Sequence, residues 1–367
     1  MGMTYEESLL KKQETVRKLL RGLPVSVLPI IPSDNYEYYR NKVHAAFGVE
    51  KGEIVAGMYE ASSHKIVENP GCLLENQKAA KIIETIKTLA REFKLQIYDE
   101  RRGTGVLRRV LVRTADGTGE ILVVLVVANF VFPGKKNFVK ALLKKHPEIT
   151  SLVLNINMRR DSMILGNKSE VLFGRGYITD SLCGLKFRIS PESFYQINHD
   201  QAEKLYAQAI ASANIGPQDT VIDAYCGTGT IGLSASKYAG SVVGVELNPK
   251  AVKDAISNAK LNSVKNTFFV NGDASEFMVK EAMSRKRYDV VILDPPRAGT
   301  TPEFIKACER LSPKRIVYVS CNPETLARDL PLFIKSGYSP QTATPVDMFP
   351  FTDSIELVVS LELTGVK

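Results

Sequence analysis

DTVIDAYCGTGTIGLSASKYAGSVVGVEL, residues 219–247, decides the fold. A β-branched run leads into a glycine-bearing turn, then a helix-forming stretch, then a second β-branched run. The alternation continues toward the C-terminus through PKAVKDAISNAKLN, NTFFVNGD, ASEFMVKEAMSR, YDVVILD, PEFIKACERLS, RIVYVSC and PETLARDLPLFIKSG. Regular alternation of this kind predicts a mostly parallel, doubly wound α/β sheet with helices on both faces. The last two runs, SPQTATPVDMF and SIELVVSLEL, have no helix between them and predict a closing antiparallel hairpin.

Working back from this region, the composition changes. The chain has 367 residues, more than one hydrophobic core comfortably holds, so two domains are expected. Between about Gln96 and Met158, VLRRVLVRT, GEILVVLVVANF and TSLVLNINM read as strands beside the helix NFVKALLKKH, forming a smaller α/β domain. DQAEKLYAQAIASAN reads as a bridging helix, and the first twenty residues as an amphipathic helix. The expected division is therefore 1–200, basic and α/β, and 201–367, the doubly wound domain. Residues 1–200 carry 30 Lys and Arg against 22 Asp and Glu, whereas 201–367 carry 18 of each, so the net charge of +8 lies wholly in the first part. Residues 101–150 concentrate it in Arg101, Arg102, Arg108, Arg109, Arg113, Lys135, Lys136, Lys140, Lys144 and Lys145. A localised basic surface suits a phosphate backbone, although any one cluster also reads as a solvated face.

The longest apolar run, Ile121 to Phe132, is too short to cross a bilayer and reads as a buried strand. Five cysteines, Cys72, Cys183, Cys226, Cys308 and Cys321, show no Cys-x-x-Cys spacing, which argues against structural zinc and a disulfide scaffold. No membrane partner, no metal and a cytoplasmic location are expected.

DAYCGTGTIG, residues 223–232, falls at the carboxyl end of the first strand, where open α/β sheets bind ligands. Gly227 and Gly229 let the backbone turn tightly and approach a ligand closely. Glu246, at the end of the next strand, is placed to accept the hydroxyls of a ribose. Asn271 and Asp273 end the third strand near where an adenine would lie; Asp273 also reads as a helix cap. The dinucleotide fingerprint's third glycine is missing, which disfavours a cofactor carrying a pyrophosphate. With the closing hairpin, the pattern resembles the S-adenosylmethionine methyltransferase fold more than a nicotinamide domain.

LDPPRAGT, residues 293–300, ends the fourth strand and VSCNPETLARDL, residues 319–330, ends the fifth, so both face one crevice. Asn322 is a good N-cap and Pro323 a good first helical residue, so the positive end of the following helix is expected to favour Cys321 as thiolate. The other four cysteines lack this setting and read as packed thiols. In the terminal strand Ile355, Leu357, Val359 and Leu361 share one face and Glu356 lies on the other. There it reads either as a carboxylate in apolar company with a raised pKa or as part of an exposed face on an edge strand.

DPPRAG, SCNP, SFYQIN (193–198) and MFPFTDSIE (348–356) together resemble the RNA uracil-5-methyltransferase family, which modifies transfer RNA and 23S ribosomal RNA. The resemblance runs over nearly the whole chain, with the motifs in the family's order. It implies an S-adenosyl-L-methionine-dependent enzyme in which Cys321 is the nucleophile on carbon 6 of uracil and Glu356 the base that removes the carbon 5 proton. Gln196, Tyr225, Thr230, Glu246 and Asp294 match cofactor and active-site positions, joining Gly227 and Asp273. Methylation of cytosine carbon 5 generally involves a second cysteine in the fourth-strand motif, and DPPR has none. Adenine methylases usually carry an aromatic residue where Arg297 stands. Many relatives begin with a β-barrel domain and an iron–sulfur cysteine cluster; the chain is expected to start after both, to hold no cluster, and to act as a monomer whose RNA affinity rests on the basic domain. Cys72 resembles the last cluster ligand. Ser354 replaces the His usual two residues before the base.

Overall fold

The computed structural model describes residues 3–60, 63, 65–159, 161, 163–284 and 286–364. In chain order the elements are α1 (Tyr5–Leu19), β1 (Ser26–Val27), β2 (Lys42–Glu50), β3 (Glu53–Tyr59), β4 (Ile66–Val67), α2 (Gln77–Glu92), β5 (Leu107–Thr114), β6 (Ile121–Val127), α3 (Lys135–Lys145), β7 (Ile149–Ile156), β8 (Lys168–Phe173), β9 (Ile178–Leu182) and β10 (Leu185–Ile189). They continue as α4 (His199–Ala213), β11 (Thr220–Ala224), α5 (Thr230–Ala235), β12 (Ser241–Glu246), α6 (Pro249–Leu261), β13 (Thr267–Asn271), α7 (Ala274–Met283), β14 (Val290–Leu293), α8 (Pro302–Leu311), β15 (Arg315–Ser320), α9 (Pro323–Lys335), β16 (Tyr338–Val346) and β17 (Glu356–Leu363).

Contacts group the chain into two compact units: Met1–Tyr36 with Leu182–Phe187 and Ser193–Lys367, and Glu37–Ser181 with Arg188–Glu192. The expected boundary at residue 200 divides the chain differently, because α1 and β1 belong with the doubly wound unit. Val16 and Leu20 are buried in the same core as Ile222, Leu293, Tyr318 and Leu361. The buried stripe of α1 is Tyr5, Ser8, Lys12, Gln13 and Val16, too polar for hydropathy to reveal where it docks.

The doubly wound unit holds an eight-stranded sheet in the order β1-β16-β17-β15-β14-β11-β12-β13. β11 pairs in parallel with β12 on one side and β14 on the other, so strand order reverses at β11 and opens a crevice at its carboxyl end. The central strands are covered on both faces, and Val221, Ile222, Val290, Val291 and Val317 have no exposed surface. Helices α6, α8 and α9 each begin with an Asn or Thr N-cap followed by Pro, a pairing that satisfies an orphan N–H and pre-sets the first helical φ. The terminal hairpin forms as expected, and β17 inserts antiparallel between β15 and β16. Glu356 therefore stands on an interior strand and is 3% exposed, which excludes the exposed edge-strand reading. The additional strand β1 pairs in parallel with β16, an addition that its two-residue length hid.

The other unit holds a seven-stranded sheet, β4-β3-β2-β5-β6-β7-β8, in which β6 and β7 pair in parallel across α3. Its core gathers Val43, Phe47, Ile82, Ile86, Leu89, Val110, Leu125, Phe138 and Leu154. β9 and β10 pair with each other as a two-stranded sheet.

Candidate active site

Strand register brings the chemical groups together. Ser320 in β15 lies opposite Leu357 in β17, so one step further along each antiparallel strand Cys321 and Glu356 come level. Leu293 in β14 pairs with Tyr318 in β15, so Asp294 ends the neighbouring strand beside them. The loops carrying them are tied to each other. The Asn322 side chain caps α9 by accepting from the Glu324 N–H, and its Nδ2 donates to the Arg297 carbonyl at 3.0 Å. Asp329, 1% exposed, accepts from the Thr300 N–H and the Tyr318 hydroxyl, while Arg328 donates to the Ala298 carbonyl.

The electrostatics follow from burial. Removal from water pushes the Glu356 carboxyl well above the usual carboxylate range; the negative charge of Asp294 adds to the rise and Arg297 opposes it. Burial pushes Asp294 up to about 7. The Cys321 thiol is pushed up to about 11, first by burial and then by Glu356 and Asp294, against the opposing Arg297. These effects oppose the helix-stabilised thiolate expected from the sequence. The N-cap and Pro323 of the expected helix start are present, while burial and the two neighbouring carboxyl groups act on the thiol in the opposite direction.

The cofactor positions surround the end of β11. Tyr225, Gly227 and Gly229 have φ of +64°, +55° and +83°, a run of left-handed residues that curls the loop back on itself. A Cβ on Gly227 would meet nothing within 4 Å, so that glycine faces open space; one on Gly229 would come within 3.0 Å of Phe269. Glu246 accepts from the Gly227 N–H at 3.1 Å and the Asn248 N–H at 2.7 Å, which fixes its carboxylate at the rim. Asn271 Nδ2 donates to the Glu246 and Leu247 carbonyls. Asp273 is the N-cap of α7, its Oδ1 accepting from the Ser275 and Glu276 N–H groups. The Tyr225 hydroxyl is 3.2 Å from Thr300 Oγ1, and Thr230 begins α5 with its Oγ1 3.3 Å from the Tyr206 hydroxyl.

Sequence reading missed two residues here. Tyr206, fully buried in α4, holds both Thr230 and Gln196 by side-chain hydrogen bonds, and nothing in its helical context marks it. Asp223 is wholly buried; its Oδ2 accepts from the Gly232 N–H at 2.7 Å and its Oδ1 has no partner among the described residues. The glycine turn beside it was the available signal. An open glycine loop and a rim carboxylate at the end of β11 fit a nucleoside.

Among the described residues no group of three or more His, Cys, Asp or Glu is arranged to hold a metal, and all five cysteines are unbridged. No helix among them is long and apolar enough to cross a membrane.

The chain is similar to known proteins over almost its full length. The family described as tRNA (uracil-5-)-methyltransferase matches residues 4–364. An uncharacterised RNA methyltransferase of Halalkalibacterium halodurans is 41% identical over 365 residues, covering 98% of this chain and 80% of its own length. Another, from Caldanaerobacter subterraneus subsp. tengcongensis, is 42% identical over 363 residues with coverage of 98% and 80%. The crystal structure of Pyrococcus abyssi tRNA (uracil-54, C5)-methyltransferase in complex with S-adenosyl-L-homocysteine superposes with a TM-score of 0.81 at 29% identity, covering 98% of this chain and 83% of that one. A doubly wound sheet with a thiol and two carboxylates at one edge, and a family match from residue 4 to residue 364, make this chain a member of the tRNA (uracil-5-)-methyltransferase family.

Proposed function

We propose that the chain methylates carbon 5 of a uridine in RNA, with Cys321 as nucleophile and Glu356 as base. S-adenosyl-L-methionine, when bound, supplies an electrophilic methyl group on a sulfonium. Gly227 and Glu246 would hold its nucleoside part, with Asp273, Tyr225 and Thr230 around it; Gln196 and Asp294 would contact the cofactor, the uracil or both. The observation carrying this reading is the cross-strand placement of Cys321 level with Glu356, with Asp294 on the next strand.

Carbon 5 of uracil is a poor nucleophile. Cys321 Sγ gives up its proton to solvent and adds as thiolate to carbon 6, opening the 5,6 double bond and placing electron density on carbon 5. Carbon 5 takes the methyl group as the methyl–sulfonium bond breaks. Glu356 then accepts the proton from carbon 5, the 5,6 double bond re-forms, and the carbon–sulfur bond to Cys321 breaks. A base needs a pKa near the working pH, and burial has moved Glu356 in that direction.

The RNA is a transfer RNA or 23S ribosomal RNA, gripped by the basic unit, and the enzyme acts as a cytoplasmic monomer. RNA labelled with tritium at carbon 5 of uridine should release tritium only when S-adenosyl-L-methionine is present. No release from either RNA, with cofactor binding demonstrated, would refute the reading. Release that persists in Cys321→Ala would refute the covalent step.

A further inference from the structure

The loop between β16 and β17, which delivers Glu356, is held by α1 at four alternating positions. Lys12 Nζ donates to Asp347 Oδ1 at 2.5 Å, with 4% and 0% of the two side chains exposed. The Tyr5 hydroxyl donates to the other oxygen of Asp347 at 2.7 Å. Lys12 also donates to the Phe349 carbonyl at 2.9 Å, the Tyr5 ring lies 5.8 Å from that of Phe351, and Lys11 pairs with Asp353 at 2.9 Å. Phe351 is held at φ +60°, a left-handed conformation that a bulky residue keeps only when its surroundings impose it.

The opposite side of the loop is tied to the segment bearing Gln196. Asn198 Nδ2 donates to the Met348 carbonyl at 3.1 Å and Gln201 Nε2 to the Asp347 carbonyl at 3.0 Å. Asp347 is therefore a junction: its carboxylate belongs to α1, its backbone to the start of α4, and Glu356 follows nine residues later.

A buried ion pair adds little stability over an apolar pair of the same shape, yet removing one partner leaves an uncompensated charge. What Lys12 and Asp347 supply is a fixed geometry. We propose that α1, through Lys12 and Tyr5 on Asp347, is a positioning element that sets where Glu356 stands when it takes the carbon 5 proton. The inference rests on Glu356 being the base, and it assigns a role in the reaction to a helix that contributes no catalytic residue.

The consequence concerns one step. Loosening the loop should slow proton removal more than methyl transfer, so methylated covalent RNA adduct should build up. In the full-length enzyme with methyl-labelled S-adenosyl-L-methionine, adduct surviving denaturing electrophoresis is compared with released product for wild type, Lys12→Met, Tyr5→Phe and Glu356→Gln. Glu356→Gln should accumulate the most adduct. Lys12→Met should accumulate it too, with product release slowed by up to about 100-fold and KM for RNA within about twofold, since a misplacement near 1 Å suffices for such a loss. Tyr5→Phe should do the same to a smaller degree, and it decides alone if Lys12→Met does not fold. Variants that fold and bind cofactor but divide adduct and product as wild type does overturn the inference. So does an equal slowing of methyl transfer and release, the mark of a merely structural role. If Glu356→Gln itself gives no adduct, the base assignment fails first and takes this inference with it.

Discussion

Asp223→Asn should make the protein more stable at alkaline pH, at the expense of cofactor affinity. Asp223 has no exposed surface, and burial, helped by Asp294 and Glu246, pushes its carboxyl up to about 8. In the unfolded chain the same group titrates near 3.9. Below about pH 4 it is protonated in both states and contributes no pH dependence. Between there and pH 8 the unfolded chain releases a proton that the folded chain keeps, so stability falls as pH rises. Four units at about 1.4 kcal/mol each give a loss on the order of 5 kcal/mol, complete by about pH 9. Asparagine has the shape of the protonated acid, does not titrate, and still offers an oxygen to the Gly232 N–H. Guanidinium unfolding of both proteins at pH 5, 6, 7, 8 and 9 measures the difference. The gap in favour of the variant should widen by several kcal/mol across that range, and saturating S-adenosyl-L-methionine should narrow it. Parallel stability curves would show that Asp223 is ionised in the native protein at neutral pH and refute the reasoning.

Two further measurements bear on the site and the surface. Because the Cys321 thiol is pushed up to about 11, its alkylation by iodoacetamide should still be rising about tenfold per pH unit at pH 9, and Glu356→Gln should speed it at any fixed pH. Mass spectrometry of the modified peptide would read this, and a plateau near pH 8 would contradict it. On α3, Lys136, Lys140 and Lys144 form an exposed i, i+4, i+8 row. If they meet phosphates, replacing all three by alanine should lower the slope of log affinity against log salt by about 2, at about 0.7 per contact on single-stranded RNA. An unchanged slope would move the RNA contact elsewhere on the basic unit.

Much of the fold was legible because its signals are local. β-branched runs alternate with helical patterns from Thr220 onward, three of the helices starting at Asn-Pro or Thr-Pro, and the terminal hairpin shows in the absence of a helix between two strand patterns. α1 was legible as a helix but not in its placement, since its buried face is largely polar and its partner, Asp347, lies 335 residues away. Tyr206 was invisible for a similar reason: its hydrogen bonds to Thr230 and Gln196 depend on how α4 packs.

The chemistry divides in the same way. Residue types and motif order by themselves determined that a thiol, two carboxylates and a glycine turn sit at strand ends, because strand ends are set by short-range patterning. Only the tertiary structure decided their protonation. Inserting β17 between β15 and β16 takes Glu356 out of water and sets it level with Cys321, and burial, with the two carboxyl groups beside it, pushes the thiol upward against the pull of the helix start. Solvent exclusion and cross-strand distance are properties of packing, and no stretch of sequence carries them.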